Sequence, residues 1–461
     1  NVRRLAVMTF LGAGMLSDIS VQDFSLQADT LNEARLPAQW DLQSCIDYAL
    51  EQNITIRKNR VTAESTQIDV KTAKAALFPS LSFSTSQQVV NRPYQETSSR
   101  VSGSEIISSN SKTSYNGNYG LNASWTIYNG SKRLKTLKQE RLNNQVAELD
   151  IATSENTIKE SIAQIYIQIL YAAESVRVNE NTLQVSIAQR DRGQELLNAG
   201  SIAKSDFAQL EAQVSTDRYQ LVTAQATLQD YKLQLKQLLE LDGENEMNVY
   251  LPNLSDENVL APLPAKKDVY VSALAIRPEI EASKLNVEAS ELGIDIAKSS
   301  YFPTVSLSAG IGTNHTSGSD FTFGEQVKNG WNNSIGLSVS VPIFNNRQTK
   351  SAVQKARLQR ETNMLSLLDE QKALYKTIES LWLDANSAQQ RYAAANEKLR
   401  STQISYDLIS EQFNLGMRNT VELLTEKNNL LQAQQEQLQA KYMAILNTQL
   451  LKFYQGDKLT L

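Results

Sequence analysis

The sequence predicts an α+β fold built as two tandem copies of one unit. Each copy pairs a long antiparallel α-helical coiled coil with two amphipathic β-strands. Three observations predict it: internal repetition at a nearly constant offset, long stretches without helix breakers, and short stretches of period-two alternation. AALFPSLSFS (75–84) matches SSYFPTVSLS (299–308), WTIYNGSKR (125–133) matches VPIFNNRQT (341–349), and LNAGSIAKSDFAQLEAQ (197–213) matches FNLGMRNTVELLTEKNN (413–429). The first pair is offset by 224 residues and the other two by 216, which leaves about eight extra residues between the strands of the first copy.

Residues 1–22 place Arg3 and Arg4 before an apolar run from Leu5 to Leu16, the order of a secretory targeting segment. Residues 23–39 form an N-terminal extension. Repeat 1 covers 40–241 and opens with a helix from Trp40 to Leu77, where Cys45 falls on the apolar face with Leu42, Ile46 and Leu50. Phe78-Pro79 stops that helix, because proline has no N–H and restricts the residue before it. A strand pair follows at 78–90 and 114–128, with Leu81 and Phe83, then Tyr119, Leu121, Ala123, Trp125 and Ile127, alternating with small polar residues.

A long helix is expected over 131–199. Proline is absent from Tyr94 through Leu251, and glycine is absent between Ser131 and Asp191. Interior glycine costs a helix about 1 kcal/mol and proline about 3 kcal/mol. Ile162, Ile169, Val176 and Leu183 recur every seven residues, with Ile158, Ile165 and Ala172 as a second seam, which is coiled-coil spacing. A turn at Gly200 leads into a shorter helix over 201–241.

A Pro- and Asn-rich linker (242–266) precedes repeat 2 at 267–456. Its opening helix, from Lys267 to Tyr301, stops at Phe302-Pro303. Strands follow at 302–312 and 331–344, then a long helix at 346–415, a turn at Gly416, a helix at 417–454 and a tail at 457–461. The heptads return as Ile378, Ala385, Tyr392 and Leu399, with Leu374, Leu381 and Ala388. A helix of about 70 residues is roughly 105 Å long, too long to bury inside one globular domain. Two shorter helices stacked end to end match one long one in length.

The strands are apolar on one face and Ser-, Thr-, Asn- or Gly-rich on the other, the pattern of a barrel with lipid outside and water inside. Four strands cannot close a barrel, since closed ones start at about eight, and open edges are not tolerated in lipid. The barrel is therefore shared between copies. Eight strands fill their own interior, so a conduit favours three copies and twelve strands. The strand-joining segments (about 90–114 and 313–330) read as polar loops.

Composition narrows the function further. One His and one Cys leave no usual zinc cluster and only His315 as a candidate base for Ser or Cys catalysis. His315 lies in GTNHTSGSD and reads as an exposed bystander. A net charge of −5 gives no footprint for nucleic acid. No catalytic, cofactor-binding or metal-binding residue is expected, and no cofactor.

Five features in order resemble the TolC family of outer-membrane channel proteins: the opening helix WDLQSCIDYALEQN, the junctions LFPSLSFS and YFPTVSLS, the strand ends IYNG and PIFNN, the turns LNAG and FNLG, and the duplication itself. The resemblance covers Trp40 to Tyr454. It implies a homotrimer with a twelve-stranded barrel in outer-membrane lipid and a periplasmic helical tunnel. The implied role is the exit duct of a tripartite efflux pump or type I secretion system, docked to a periplasmic adaptor (membrane fusion) protein and an inner-membrane transporter of RND, ABC or MFS type. A periplasmic coiled-coil adaptor is the alternative, although an adaptor carries one hairpin between β-rich modules rather than two copies with amphipathic strands.

By the same resemblance the glycine turns form the periplasmic tip. Glu422, six residues past Gly416, takes the place of an acidic gating ring, and Thr425 stands where a second acid is usual. Arg418 and Phe413 match the family's tip arginine and aromatic, and Ser205 and Asp206 occupy the corresponding place in the first copy. Glu422 and Asp206 also meet a simpler need, since carboxylates in a first helical turn complement the helix dipole. Trp125 and Trp331 are candidate membrane-belt aromatics.

Overall fold

The computed structural model describes residues 37–460 apart from 95–97, 103–104, 110–111, 242–246, 253–258, 318 and 320. The expected targeting segment at 1–22, nearly all of the 23–39 extension and part of the linker lie outside the described residues. The elements run α1 (Leu42–Gln52), α2 (Ile54–Ala75), β1 (Ser80–Asn91), β2 (Ser98–Ser102), β3 (Glu105–Ser109), β4 (Thr113–Asn129), α3 (Lys132–Asn198) and α4 (Lys204–Leu238). Then come α5 (Lys266–Ile276), α6 (Pro278–Ser299), β5 (Thr304–Thr316), α7 (Phe323–Asn329), β6 (Asn332–Ser340), α8 (Gln348–Asn414) and α9 (Thr420–Gln455).

The two long helices, α3 and α8, have 67 residues each and so run about 100 Å. Toward the sheet α3 packs against α2 and α6, and α8 against α6. Toward the glycine turns α3 pairs with α4, and α8 with α9. Heptad residues fill these contacts: Ile162, Ile169, Ile378 and Ala385 are all at most 1% exposed. The largest core sits midway, where Trp40, Cys45, Ile46, Tyr166, Leu235 and Val249 pack together. The described part of the linker is strapped onto this waist. The Tyr166 hydroxyl donates to Tyr250 O at 2.6 Å, the Gln389 amide to Val259 O and Ala261 O at 2.9 and 2.8 Å, and the Trp382 indole to Pro264 O at 3.0 Å.

Each opening helix, expected to be continuous, is broken at equivalent positions. Asn53 has ψ 126, and its carboxamide oxygen accepts from Thr55 N and Ile56 N, capping α2 where α1 ends. In the second copy Arg277 has ψ 123 and Pro278 opens α6, since a first-turn proline lacks an N–H that the helix would leave unpaired anyway. Both breaks are tied to the waist. Asn53 Nδ2 donates to Leu238 O at 3.0 Å, whereas Arg277 pairs with Glu160 at 3.0 Å and lies 3.6 Å from the Tyr454 ring.

Four of the strands form one antiparallel sheet in the order β1-β4-β5-β6, and β2 pairs with β3. The register places Leu81 opposite Ala123, Phe83 opposite Leu121, Trp125 opposite Leu307 and Ala309 opposite Ile335. Side chains alternate across a pleat, so these apolar residues share one face with Tyr119, Ile311, Leu337 and Val339. The other face carries Ser80, Ser82, Ser84, Asn118, Asn122, Ser124, Ser308 and Ser334, several of them hydrogen-bonded across strands, as in Asn122–Ser84 at 3.3 Å. Away from the loop end the apolar face is bare, with Leu81 70% and Ile335 84% exposed.

Three departures from expectation lie at the sheet ends. The first strand-joining segment contains the β2–β3 hairpin rather than only loop. The second is shortened by the extension of β5 to Thr316 and contains α7. β6 stops at Ser340, just before Pro342, which has no N–H to give to a ladder.

Candidate functional site: the two hairpin tips and the buried trio behind them

Both coiled-coil hairpins reverse through the same backbone device. At the first tip Ser201 N donates to Leu196 O (2.8 Å) and Gly200 N to Leu197 O (3.0 Å). At the second, Met417 N donates to Gln412 O (2.8 Å) and Gly416 N to Phe413 O (2.9 Å). This is the helix-terminating pattern that needs a left-handed residue, and both glycines have φ +74. Neither has an atom within 4 Å of a Cβ built on it. The requirement is therefore conformational, not one of space.

The helices that leave the tips are capped differently. Asn419 accepts from Glu422 N at 2.9 Å, and the Glu422 carboxylate accepts from Asn419 N at 3.4 Å, a reciprocal capping box. Arg418 Nη1 donates to Glu422 Oε1 at 3.1 Å, while its Nε donates to Gln412 Oε1 at 2.8 Å. At the first tip Asp206 accepts from Ala203 N at 3.3 Å, but Ala203 has no side-chain oxygen to return the bond. Ser205 is exposed on the first turn of α4. Thr425 donates its hydroxyl to Val421 O at 2.7 Å and stays exposed. Phe413 is 2% exposed and packs with Leu210 and Leu423, so one aromatic joins α8, α9 and α4.

Sequence reasoning missed a buried polar trio behind the tips. Lys427 on α9, Asp217 on α4 and Ser186 on α3 are 3%, 2% and 2% exposed. The Lys427 ammonium donates to both the Asp217 carboxylate and the Ser186 hydroxyl, and Ser186 donates to Asp217. Gln213 Nε2 also donates to the other Asp217 oxygen at 2.9 Å. Burial pushes the Lys427 pKa below its ordinary value, and the bond and charge of Asp217 oppose that shift. A sequence signal existed. Asp217 falls seven residues after the buried Leu210, and Lys427 falls four after Leu423 and three before Leu430. Charges at core spacing must be paired when buried.

The remaining candidates lie at the sheet. Pro79 and Pro303 sit between the last helical turns, closed by Phe78 N to Ala75 O (3.0 Å) and Phe302 N to Ser299 O (3.1 Å), and the first strand residues. Trp125 Nε1 donates to Leu77 O at 2.9 Å at this helix end of the sheet. Trp331 precedes β6 at the opposite end and is 57% exposed. His315 is not a loop bystander. It lies in β5, half-buried, between the Tyr119 ring at 5.9 Å and the Phe323 ring at 5.1 Å.

A family model described as outer membrane efflux protein matches residues 45–240 and again 269–456. The outer membrane efflux protein BepC of Brucella suis is 25% identical over 294 residues, 63% of this chain and 61% of that protein. The outer membrane protein TolC of Salmonella enteritidis is 22% identical over 452 residues, 96% of this chain and 85% of that protein. The match to the first of these relatives thus spans about three-fifths of its length. Among solved structures, CusC superposes with a TM-score of 0.77 at 18% identity, covering 91% of this chain and 93% of CusC. VceC of Vibrio cholerae gives 0.74 at 16% identity, covering 91% and 97%.

Proposed function

The chain belongs to the outer membrane efflux protein family, and on that premise we propose that it is the outer-membrane exit duct of a tripartite efflux pump or type I secretion system. The observation that carries this reading is the sheet. Its apolar face is bare except where α7 meets it, its other face is polar, and among the described residues its edge strands β1 and β6 each pair on one side only. In lipid such edges must be closed, and three copies supply twelve strands around a polar lumen. Further support comes from exposed apolar residues at heptad spacing: Ile54, Val61 and Ile68 on α2, and Leu358 and Leu365 on α8. A single chain leaves them uncovered; neighbouring copies would cover them and close the helices into a periplasmic tunnel.

The duct carries out no chemistry, and substrates pass down their gradient. The tips face a periplasmic adaptor and, through it, an inner-membrane transporter. Three Glu422 carboxylates near one axis attract cations and repel one another when fully ionised, so a bridging cation stabilises the closed tip. Arg418 neutralises part of that charge within each chain. Trp125 and Trp331, at opposite ends of the sheet, serve as belt aromatics. The test is reconstitution in planar bilayers with parallel complementation of an efflux-deficient strain. A cation-selective pore and restored efflux support the duct. A protein extracted without detergent that forms no pore sinks it.

A further inference from the structure

The short helix α7 raises a question that the duct reading does not answer. It is set in a segment expected to be a polar loop, yet it packs back onto the sheet. The register pairs Gly117 with His315, Tyr119 with Thr313 and Leu121 with Ile311. By pleat alternation, Gly117, His315, Tyr119 and Thr313 stand on the same face as Leu121, Trp125 and Leu307, which is the apolar face. The helix contacts that face. Thr313 donates its hydroxyl to Val327 O at 2.7 Å, the Phe323 ring meets the His315 ring edge-on at 5.1 Å, and Thr316 N donates to Gln326 Oε1 at 2.8 Å. The His315 ring lies over Gly117, where any Cβ would be 2.2 Å from its Cε1. The helix is set firmly: Thr322 and Glu325 form a reciprocal capping box, and Gln326 Nε2 donates to Phe321 O at 2.9 Å.

The height of this contact decides what surrounds it. On β5 the outward residues from Val305 to Thr313 span about 27 Å along the strand, or about 20 Å along the membrane normal at a tilt of about 40°, close to the ~25 Å apolar band of such barrels. His315, Phe323 and Trp331 therefore fall at the band's outer rim. Around them Phe321 is 44%, Phe323 55% and Trp331 57% exposed. The Tyr119, His315 and Phe323 rings lead from the strands onto α7, with Asn333 beside Ile311 on the same face, and Lys328 is exposed in the last turn of the helix.

We propose that α7 is an interfacial helix lying along the lipid face of the sheet at its loop end. It places Phe321, Phe323 and Trp331 among acyl chains at the headgroup boundary of the outer leaflet and holds Lys328 level with the lipid phosphates. The ring path from Tyr119 through His315 to Phe323 joins the helix to the lipid-facing band, which selects a bilayer over a protein partner. Aromatic rings with a cation beside them are what such a boundary accommodates. The helix covers the His315 ring, which itself fills the space over Gly117. This inference rests on the outer-membrane reading.

The test is spin-label depth measurement on the full chain in phosphatidylethanolamine–phosphatidylglycerol bilayers. Nitroxides are placed in turn by Phe321→Cys, Lys328→Cys, Ile335→Cys and Tyr94→Cys. Power saturation with oxygen and with a water-soluble nickel chelate reports depth. All four sites are exposed, so labelling leaves packing intact, and Phe321 and Lys328 are independent probes of the same helix. The ratio of oxygen to nickel accessibility should be highest at Ile335 and lowest at Tyr94. Phe321 should lie between them, at least threefold above Tyr94, with Lys328 shallower than Phe321. Phe321 and Lys328 ratios equal to that of Tyr94 would put α7 in water and overturn the proposal. Exclusion of both relaxants at Phe321 would overturn it in favour of coverage by a neighbouring copy. An aqueous reading at Ile335 itself would instead refute the outer-membrane reading.

Discussion

The two tips share a backbone and differ in charge. Gly200 and Gly416 have the same φ of +74 and the same pair of closing hydrogen bonds, and a carboxylate caps the next helix three residues in from the cap position at each. Only the second adds Asn419 and Arg418, where the first has Ala203 and Ile202. Duplication has thus kept the turn, which geometry demands, and let the electrostatics diverge. A feature shared by both tips meets a demand of folding. Asn419, Arg418 and the Arg418–Glu422 pair belong to one tip, so they are where function is to be sought.

The largest expected effect comes from the buried trio, which has no counterpart at the equivalent positions (Glu211, Thr402 and Ala433). Lys427→Met strands Asp217 in a site where both are at most 3% exposed. Removing one partner of a buried pair costs about 3–5 kcal/mol, whereas replacing both with apolar residues is often neutral. Urea unfolding should show Lys427→Met strongly destabilised and Lys427→Met/Asp217→Leu near wild type. Equal loss in both would mean that the trio acts by something other than charge pairing.

Next come the turns. Gly200→Val and Gly416→Val each force a branched side chain into the left-handed region, at about 1–2 kcal/mol or more. Efflux should fall in both while barrel insertion persists. Full efflux in Gly416→Val at normal expression would remove the tip assignment. The caps differ by less: Asn419→Ala should cost about 1 kcal/mol, and Ala203→Asn should recover a similar amount at the first tip. Thermal unfolding of the two variants checks both signs.

Electrical readouts sharpen the comparison further. Glu422→Gln should reduce cation selectivity and block by multivalent cations, whereas Asp206→Asn should change them less. Arg418→Ala should raise open probability. Unchanged selectivity and block in Glu422→Gln would leave that residue with only its capping role. The smallest effect is chemical. Burial pushes the Cys45 thiol up to about 12, so at neutral pH it is protonated and enclosed. Maleimide should label it only after denaturation.

Much of this was legible in the sequence because period and repetition are global signals. The heptads of Ile162, Ile169, Ile378 and Ala385 located both long helices, and alternation in Leu337 and Val339 located a strand. The glycine turns were legible because their demand is local and conformational. What was not legible depended on single side chains acting at a distance. Asn53 and Pro278 are local marks of the two helix breaks, but the bond that ties Asn53 to Leu238 crosses 185 positions and leaves no local pattern. The trio joins residues 31, 210 and 241 positions apart. The α7 helix hid inside a polar stretch, because its partners are His315 and Thr313 of an adjoining strand rather than an apolar face of its own.

The central claim is that one chain's sheet is a third of a closed barrel. Native mass spectrometry of the protein released from lipid nanodiscs, on the same preparation that conducts in planar bilayers, tests it most directly. The account predicts a single species of three chains. A conducting species of one, two or four chains would contradict it.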